Sequence, residues 1–451
     1  IPFGNNGSTV ITDRQKGNLL FYSDGEVIYD NQHVILPGLG ANRLNADLSK
    51  IQPVVSCPFP DNSGQYYIFT NSGTSIEYTV VDPNLVGNST VNEFPRGDIQ
   101  GTINQPTSIT NTGELHKILE SNNGQTFWLV NQDVTTLELM LTSITAGGLG
   151  TTVTYDIFPD SIPSFEATTL AIKTDSLGAT TLALSPKRSN RNIVLLDFDR
   201  TTGDVGFQQQ ILNTGYSDTG NNVVYDLEWS TDGSKLYYSR TGDDINGGNI
   251  YQIDFTDTVA TVPPVVPVLT TALHRSYGLK TAPDGRIYHL YQEIDATSPY
   301  QVGSINRSDS TADAGVIYNN LAFDLNFEGT QFPEFAPSYY PNGYFTTLDF
   351  ITLDTCEHRI TKFVAIVDPL PDNYRWDFGD GTFGFGPTVN HEYDAAGGPA
   401  VQLTVELDGF TQSITNFVEI VSVDSLDLGN DTTICVDETL DLSAGNDGIR
   451  Y

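Results

Sequence analysis

The stretch Tyr225-Asp226-Leu227-Glu228-Trp229-Ser230-Thr231-Asp232-Gly233-Ser234-Lys235-Leu236-Tyr237-Tyr238-Ser239 decides how the first three-quarters of the chain folds. Tyr225–Trp229 is a first strand, and Ser230-Thr231-Asp232-Gly233 is a hairpin of turn-forming residues ending in a glycine that tolerates positive φ. Lys235–Ser239 is the return strand, and after a polar loop Asn249–Phe255 alternates as a third. A sheet this small cannot cover both of its own faces, so it needs neighbours of the same kind.

Those neighbours are present in the sequence. A polar turn containing Gly, followed at once by an aromatic or aliphatic strand, recurs at Gly17-Asn18-Leu19-Leu20, Gly64-Gln65-Tyr66-Tyr67, Gly124-Gln125-Thr126-Phe127, Gly178-Ala179-Thr180-Thr181, Gly233-Ser234-Lys235-Leu236 and Gly285-Arg286-Ile287-Tyr288. Successive glycines stand 47, 60, 54, 55 and 52 residues apart. Such a period, with several short strands per unit, indicates an all-β, six- or seven-bladed β-propeller (WD40- or TolB-like) over residues 1–345. The strand around Thr9–Thr12 and the segment Phe332–Tyr340 are expected to close the ring, as part of a seventh blade if there is one. Helix signals are nearly absent, and Thr112–Glu120 is read as a short turn.

Asp and Glu outnumber Lys and Arg by 56 to 21, a net charge of −35. So negative a surface repels nucleic acid and anionic lipid, and it leaves carboxylates available to divalent cations. No apolar run is long enough to span a bilayer; Val262–Leu273 is short and interrupted by prolines. Cys57, Cys356 and Cys435 are far apart and odd in number, which is neither a zinc set nor a disulfide framework. The sequence opens mid-pattern at Ile1-Pro2-Phe3-Gly4 without a secretory leader, as expected of a mature protein or an excised piece.

A second landmark is Tyr374-Arg375-Trp376-Asp377-Phe378-Gly379-Asp380-Gly381, a strand with aromatics on alternate positions running into a tight turn. His391-Glu392-Tyr393 and the alternating run Val401–Leu407 follow. This W-D-F-G-D-G … H-x-Y … V-x-L-x-V pattern resembles the PKD domain, a small Ig-like β-sandwich of extracellular proteins, over residues 346–423. Trp376, Phe378 and Tyr393 are expected in its core, and His391 matches a position that packs and hydrogen-bonds. From Ser422 the text changes. Ser425–Cys435 and Glu438–Gly445 resemble the opening of a further Ig-like module over 424–451, so the natural protein is expected to continue.

A closer resemblance rests on Gly17–His33, Gln65–Thr70, Ile76–Asp82 and Asp232–Tyr237. These look like the N-terminal propeller of large Bacteroidota surface proteins, exported by the type IX secretion system and carrying a gliding-motility-type C-terminal sorting domain. The resemblance implies an extracellular, cell-surface location, recognition by the secretion machinery through a sorting domain missing here, and a protein or glycan ligand.

Candidate chemistry is sparse. The histidines His33, His116, His274, His289, His358 and His391 show no metal-ligand spacing. Asn122–Phe127 resembles a single sialidase-type hairpin box, a structural element. Asp197 and Asp199 stand at alternate strand positions and on one face could do acid–base work, but in so acidic a chain a solvated face is the expectation. Asp243, Asp244 and Asn246, in a Gly-rich loop between two strands, are the candidate Ca²⁺ ligands. Asp-[Ser/Thr]-x sites resemble the Bacteroidota O-glycosylation sequon and nominate Ser161, Ser176, Thr258, Ser310, Ser425 and Thr432. The expected function is a non-enzymatic adhesion or binding module, with the propeller as head and the later modules as stalk. The alternatives are a polysaccharide-active enzyme with its centre in the propeller channel, and a structural subunit of a surface fibre.

Overall fold

The computed structural model describes residues 6–12, 18–61, 63–90, 95–122, 124–156, 158, 165–174, 179–187, 192–211, 223–242, 247–256, 265–282, 284–293, 295, 297–312, 315–321, 329–337, 347–368, 370–407 and 410–422. The chain divides into two compact units, Ile1–Tyr344 and Phe345–Tyr451. Apart from one 3-10 turn at Pro37–Leu39, the regular structure of the described residues is all strand.

The first unit is propeller-like, with four-stranded sheets following one another along the chain. The first holds β1 (Thr9–Thr12), β2 (Leu19–Ser23) and β3 (Ile28–Asp30). The second holds β4 (Val54–Pro58), β5 (Tyr66–Asn71), β6 (Ser75–Asp82) and β7 (Asp98–Thr110), and the third β8 (Thr112–Glu120), β9 (Phe127–Asp133), β10 (Leu139–Thr145) and β11 (Gly148–Tyr155). The fourth is β12 (Ala167–Thr174), β13 (Thr180–Pro186), β14 (Ile193–Phe198) and β15 (Val205–Ile211). The fifth is β16 (Val224–Trp229), β17 (Lys235–Arg240), β18 (Asn249–Asp254) and β19 (Val265–Pro267), and the sixth β20 (Arg275–Thr281), β21 (Ile287–Gln292), β22 (Tyr300–Ile305) and β23 (Tyr318–Leu321). The last strand of the unit, β24 (Glu334–Phe335), joins the first sheet, parallel to β1. The described residues therefore form six blades, and the segment expected to serve a seventh completes the first instead.

The leading strands pack in sequence, β4 on β8, β8 on β12, β12 on β16 and β16 on β20, while β4 also touches β1 and β24. Both faces of a blade are thus covered, and the core lies between blades. Leu115, Leu119, Leu139 and Leu141 of the third sheet meet Leu170, Leu182, Leu184 and Leu196 of the fourth. The opposite face of the fourth, through Ala183 and Leu195, meets Leu227, Trp229 and Tyr238 of the fifth. Each fully buried leucine of this kind contributes about 1.5–3 kcal/mol.

Burial on both sides also explains the strand that the sequence hid. Thr112–Glu120 is the inner strand β8, not a turn. Its Glu, His, Lys and Leu residues suit a helix better than a strand, and packing between two blades removed the in–out alternation that would have marked it.

The hairpins form as their residues demand. Gly233 takes φ +66° and its N–H donates to Ser230 O at 2.9 Å, while Ser234 N–H and Ser230 Oγ donate to Asp232 Oδ1 at 2.9 and 2.8 Å. Gly64, Gly124 and Gly285 repeat the positive φ, so the glycine period is a backbone requirement. A second turn recurs at Asp133-Val134-Thr135-Thr136-Leu137-Glu138 and Asp199-Arg200-Thr201-Thr202-Gly203-Asp204. In each, the first Asp accepts from the two Thr N–H groups, at 2.7 and 3.0 Å in one and 2.7 and 3.2 Å in the other. The second Thr hydroxyl donates to the closing carboxylate, at 2.9 and 2.8 Å. Many of the excess carboxylates accordingly serve as turn caps.

The second unit is a two-sheet sandwich. One sheet contains β25 (Thr347–Leu353), β26 (Ile360–Asp368) and β29 (Thr388–Glu392); the other contains β27 (Asn373–Asp377), β28 (Phe383–Phe385), β30 (Ala400–Leu407) and β31 (Phe410–Phe417). Trp376, fully buried, lies edge-on to Phe350 at 5.2 Å and near Phe363 at 5.6 Å, and its indole N–H donates to Gly386 O at 2.9 Å. Tyr374 is only half-buried, while Phe378 and Tyr393 are core. At Gly379, φ +80°, a Cβ would stand 2.6 Å from Ala400 O, so no other residue fits the turn. His391 stacks on Phe378 at 4.1 Å and bonds Asp380 Oδ2 at 2.7 Å, packing and bonding together as expected. The module read over 424–451 lies outside the described residues.

Leu137 (φ +65°) occupies the left-handed position that Gly203 (φ +80°) takes in the sister turn. A left-handed non-glycine costs roughly 1–2 kcal/mol, against about 0.5–1 kcal/mol of extra unfolded-state freedom for glycine. Leu137→Gly is expected to raise stability by about 0.5 kcal/mol in urea unfolding, and Gly203→Leu to lower it.

Candidate functional site

The chemistry of the first unit concentrates where its inner strands converge. Lys117 on β8 and Lys280 on β20 both reach the carboxylate of Glu334 on β24. The third sheet is separated from the first by the second, so this contact joins two blades that are not neighbours. Lys280 Nζ lies 3.0 Å from Glu334 Oε2, and Lys117 Nζ pairs with Oε1. Burial raises the Glu334 pKa, but the two ammonium groups outweigh it and hold the carboxyl at about 2.

Two more carboxylates project from β16. Asp226 is buried and accepts from Leu227 N–H and from Leu279 N–H, each at 2.9 Å. It therefore serves the bulged stretch of β20 between Ser276 and Leu279, and burial raises its pKa. Glu228, two residues on, lies deep in the unit yet partly accessible. Burial pushes it up to about 7, with Lys280 and Lys117 pulling the other way and Asp226 and Glu334 adding to the rise. Despite its own burial, Lys280 is held protonated by Glu334 and Glu228.

Toward the start of the inner strands the lining turns aromatic and neutral. Tyr225 donates to Thr330 Oγ1 at 2.9 Å, and Thr330 donates to Asn6 Oδ1 at 2.9 Å. Tyr277 meets Tyr225 edge-on at 5.5 Å and stacks on Tyr300 at 5.7 Å. Lys50 and Glu114 are paired 3.7 Å apart, and the Glu114 charge acts on Tyr225. Chemically, this cluster offers cations held by a carboxylate and one carboxyl poised near neutrality, with a group of tyrosines beside it.

None of these residues stood out in the sequence as a site. Asp226 and Glu228 lay in the quoted blade stretch, and two acidic residues on one face of an inner strand were the available signal. Lys117 was concealed in the misread segment.

Asp243, Asp244 and Asn246, the Ca²⁺ candidates, fall outside the described residues, as do Ser161, Ser176, Thr258, Ser425 and Thr432. Ser310 is half-buried in a turn whose carbonyl accepts from Gln252 Nε2 at 2.7 Å. Among the described residues no group of three or more His, Cys, Asp or Glu is placed to hold a metal ion. Cys57 is buried and Cys356 half-buried, both as free thiols.

Asp197 and Asp199 are both exposed, as a solvated face would be. β14 ends at Phe198, and Asp199 is committed to the Thr201 and Thr202 amides. Both nevertheless line a cavity of about 740 Å³ with Arg200, Thr201 and Asp204. The histidines are dispersed. His116 and His289 are buried, and that burial pushes each down to about 3, so both are neutral near pH 7.

Residues 354–421 match the PKD domain family. No curated protein matches the chain. Among solved structures, it is similar to the extracellular domain of a putative hybrid two-component system from B. thetaiotaomicron, at 13% identity and a TM-score of 0.40, covering 90% of this chain. The chain spans 45% of that domain's length. It is also similar to a putative 6-phosphogluconolactonase from Bacteroides uniformis (12% identity, 91% and 100% of the two chains, TM-score 0.37). A third likeness is to a lectin from Burkholderia pseudomallei (10% identity, 82% and 99%, TM-score 0.36). Among the described residues no helix is long and apolar enough to cross a membrane.

The two channel carboxylates have opposite pH signatures. The Glu334 contribution is complete above its ordinary value of 4.5 and is lost as pH falls toward 2; Glu228 disfavours the fold as pH rises from 4.5 through 7. Glu334→Gln, leaving two partly buried ammonium groups unpaired, is expected to cost about 2–3 kcal/mol at pH 6 and to flatten the acid limb of the melting profile. Glu228→Gln is expected to gain stability at pH 8 relative to pH 4, in thermal melts from pH 3 to 8.

Proposed function

We propose that this chain is a non-catalytic, ligand-binding part of a cell-surface protein. The propeller-like unit is the recognition head, and the PKD domain with the module following it belongs to the stalk. The observation that carries this reading is the joining in one chain of a closed six-blade ring and a PKD domain at 354–421. Three features add support. The strongly acidic surface suits an exterior, ionic setting. Asp carboxylates cap turns throughout the first unit. In the channel, Glu334 and the two lysines satisfy one another. Export by the type IX route, a role in gliding or attachment, and O-glycosylation belong to the same proposal, on the sequence resemblance.

A second reading has one specific observation in its favour. Glu228, with a pKa near 7 and beside Lys280, is poised as a general acid or base in the channel. That is what a polysaccharide-active enzyme would need.

Purified chain on an array of glycans and surface proteins, run beside a hydrolase and lyase screen on the same polysaccharides, separates the two. The expected outcome is saturable binding with no product formed. Turnover that disappears in Glu228→Gln would overturn the binding reading in favour of the enzyme.

A further inference from the structure

The second unit carries more bare apolar surface than its size warrants. Half of the exposed large hydrophobic residues among the described positions lie in it, although it is much the smaller unit. Part of that surface is one connected face. Phe350 of β25 and Phe363 of β26 are buried in the sandwich, so the alternate positions of both strands point outward. Ile351 stands opposite Val364, Asp349 opposite Ile366 and Leu353 opposite Lys362. Ile366, Val364, Ile351, Leu353 and Ile360 are therefore direct or diagonal neighbours on the outer face of the three-stranded sheet. Ile351, Leu353, Ile360 and Ile366 are 48, 48, 59 and 42% exposed. Single exposed aliphatics are ordinary, but a contiguous set rimmed by polar groups, here Asp349, Asp368, Asn390 and Glu392, marks an interaction surface.

Two features of the chain point to what covers it. The chain leaves the domain at one end of this row: Val421 N–H donates to Thr355 O and Glu357 N–H donates to Val421 O, each at 2.9 Å. Thr355 and Glu357 lie in the turn that joins β25 to β26, beside Leu353 and Ile360. The second feature is charge. Lys362 is exposed among the aliphatic residues and has no carboxylate partner among the described residues, in a chain where Asp and Glu outnumber Lys and Arg by 56 to 21. We infer that this face seats the segment that follows, Asp424–Leu428, and with it the start of the next module. In an extended chain Asp424, Leu426 and Leu428 share one side, which sets two leucines against the aliphatic row and a carboxylate toward Lys362. Reach permits it: at roughly 3.3 Å per residue the chain from Val421 to Leu426 spans about 17 Å, and the row from Ile360 to Ile366 about 20 Å.

A second copy of the chain is the poorer occupant. Each copy carries −35, and one row of five aliphatics is small beside the roughly 1,200–2,000 Å² that a stable association buries. A tethered segment needs far less surface, because its effective concentration at the face is high. The inference deepens the stalk part of the proposed function and rests on it: with this face covered, the joint between the PKD domain and the next module is a fixed contact and not a free swivel.

Hydrogen exchange of the whole chain, read by mass spectrometry, tests this. The amides of residues 425–429 are expected to exchange tenfold or more slower than in a free peptide of the same sequence. Ile351→Thr combined with Leu353→Thr, at outward positions where a strand tolerates threonine, is expected to remove that protection while the amides of β27 and β30 keep theirs. Lys362→Glu is expected to weaken it about threefold. Phe385→Thr, on the outer face of the other sheet, is the folded control and should leave the protection unchanged. Free-peptide exchange in the parent chain, or protection that survives the double substitution, would overturn the assignment. So would a dimer in sedimentation that Ile351→Thr dissolves, which gives the face to a second copy. Ligand binding by the first unit is read separately on the array, so the contact and the recognition head can each fail alone.

Discussion

The first unit depends on how its two ends meet. A ring of sheets has no covalent closure; here the last strand contributes only Glu334 and Phe335, laid parallel beside Thr9–Thr12. So short a pairing is weak by itself. What reinforces it is the Glu334 carboxylate, which draws Lys280 from the neighbouring sixth blade and Lys117 from the third, across the axis. Gly278 N–H donating to Thr330 O at 2.9 Å adds a backbone tie from the sixth blade to the segment that enters this strand. Ions this deep in a protein are costly to desolvate, and the arrangement holds because each is paired. The same three side chains therefore close the fold and define the chemistry of the channel.

That double use bears on function. Lys117 and Lys280 are neutralised by the closing strand itself, so these ions are spent on the fold. The PKD domain follows a different economy. Its turn and its core are tied by the residues of one motif: Phe378 stacks on His391, His391 bonds Asp380, and Tyr393 Oη donates to Phe378 O at 3.0 Å. A motif that looks catalytic on paper, with Asp, His and Tyr together, is consumed by packing.

How much of this was legible follows from the range of the interactions. Turns depend on a few consecutive residues, so the glycine period, the hairpin at Ser230–Gly233 and the tight reversal at Gly379–Gly381 could be read directly. Strands with one face covered were also visible, as in Val401–Leu407. Thr112–Glu120 was not, because an inner strand is buried on both sides and its Lys and His point into the channel region or between blades rather than to bulk water. Asp199 lies one residue past the end of β14, and the following turn takes its carboxylate.

The sequence by itself determined the β-class, the period of the repeat, the PKD module and its aromatic core, since each is written in neighbouring residues and in alternation. Only the tertiary structure decided that the described residues form six blades and that Lys117, Glu228, Lys280 and Glu334 interact in one cluster. Lys117 and Glu334 are 217 positions apart, and nothing in the local pattern of either marks a partner. Their meeting is a consequence of closure, a property of the whole ring. The line from Tyr225 to Tyr300 has the same origin: it exists because two blades stand side by side and a bulge turns Tyr277 toward its neighbours.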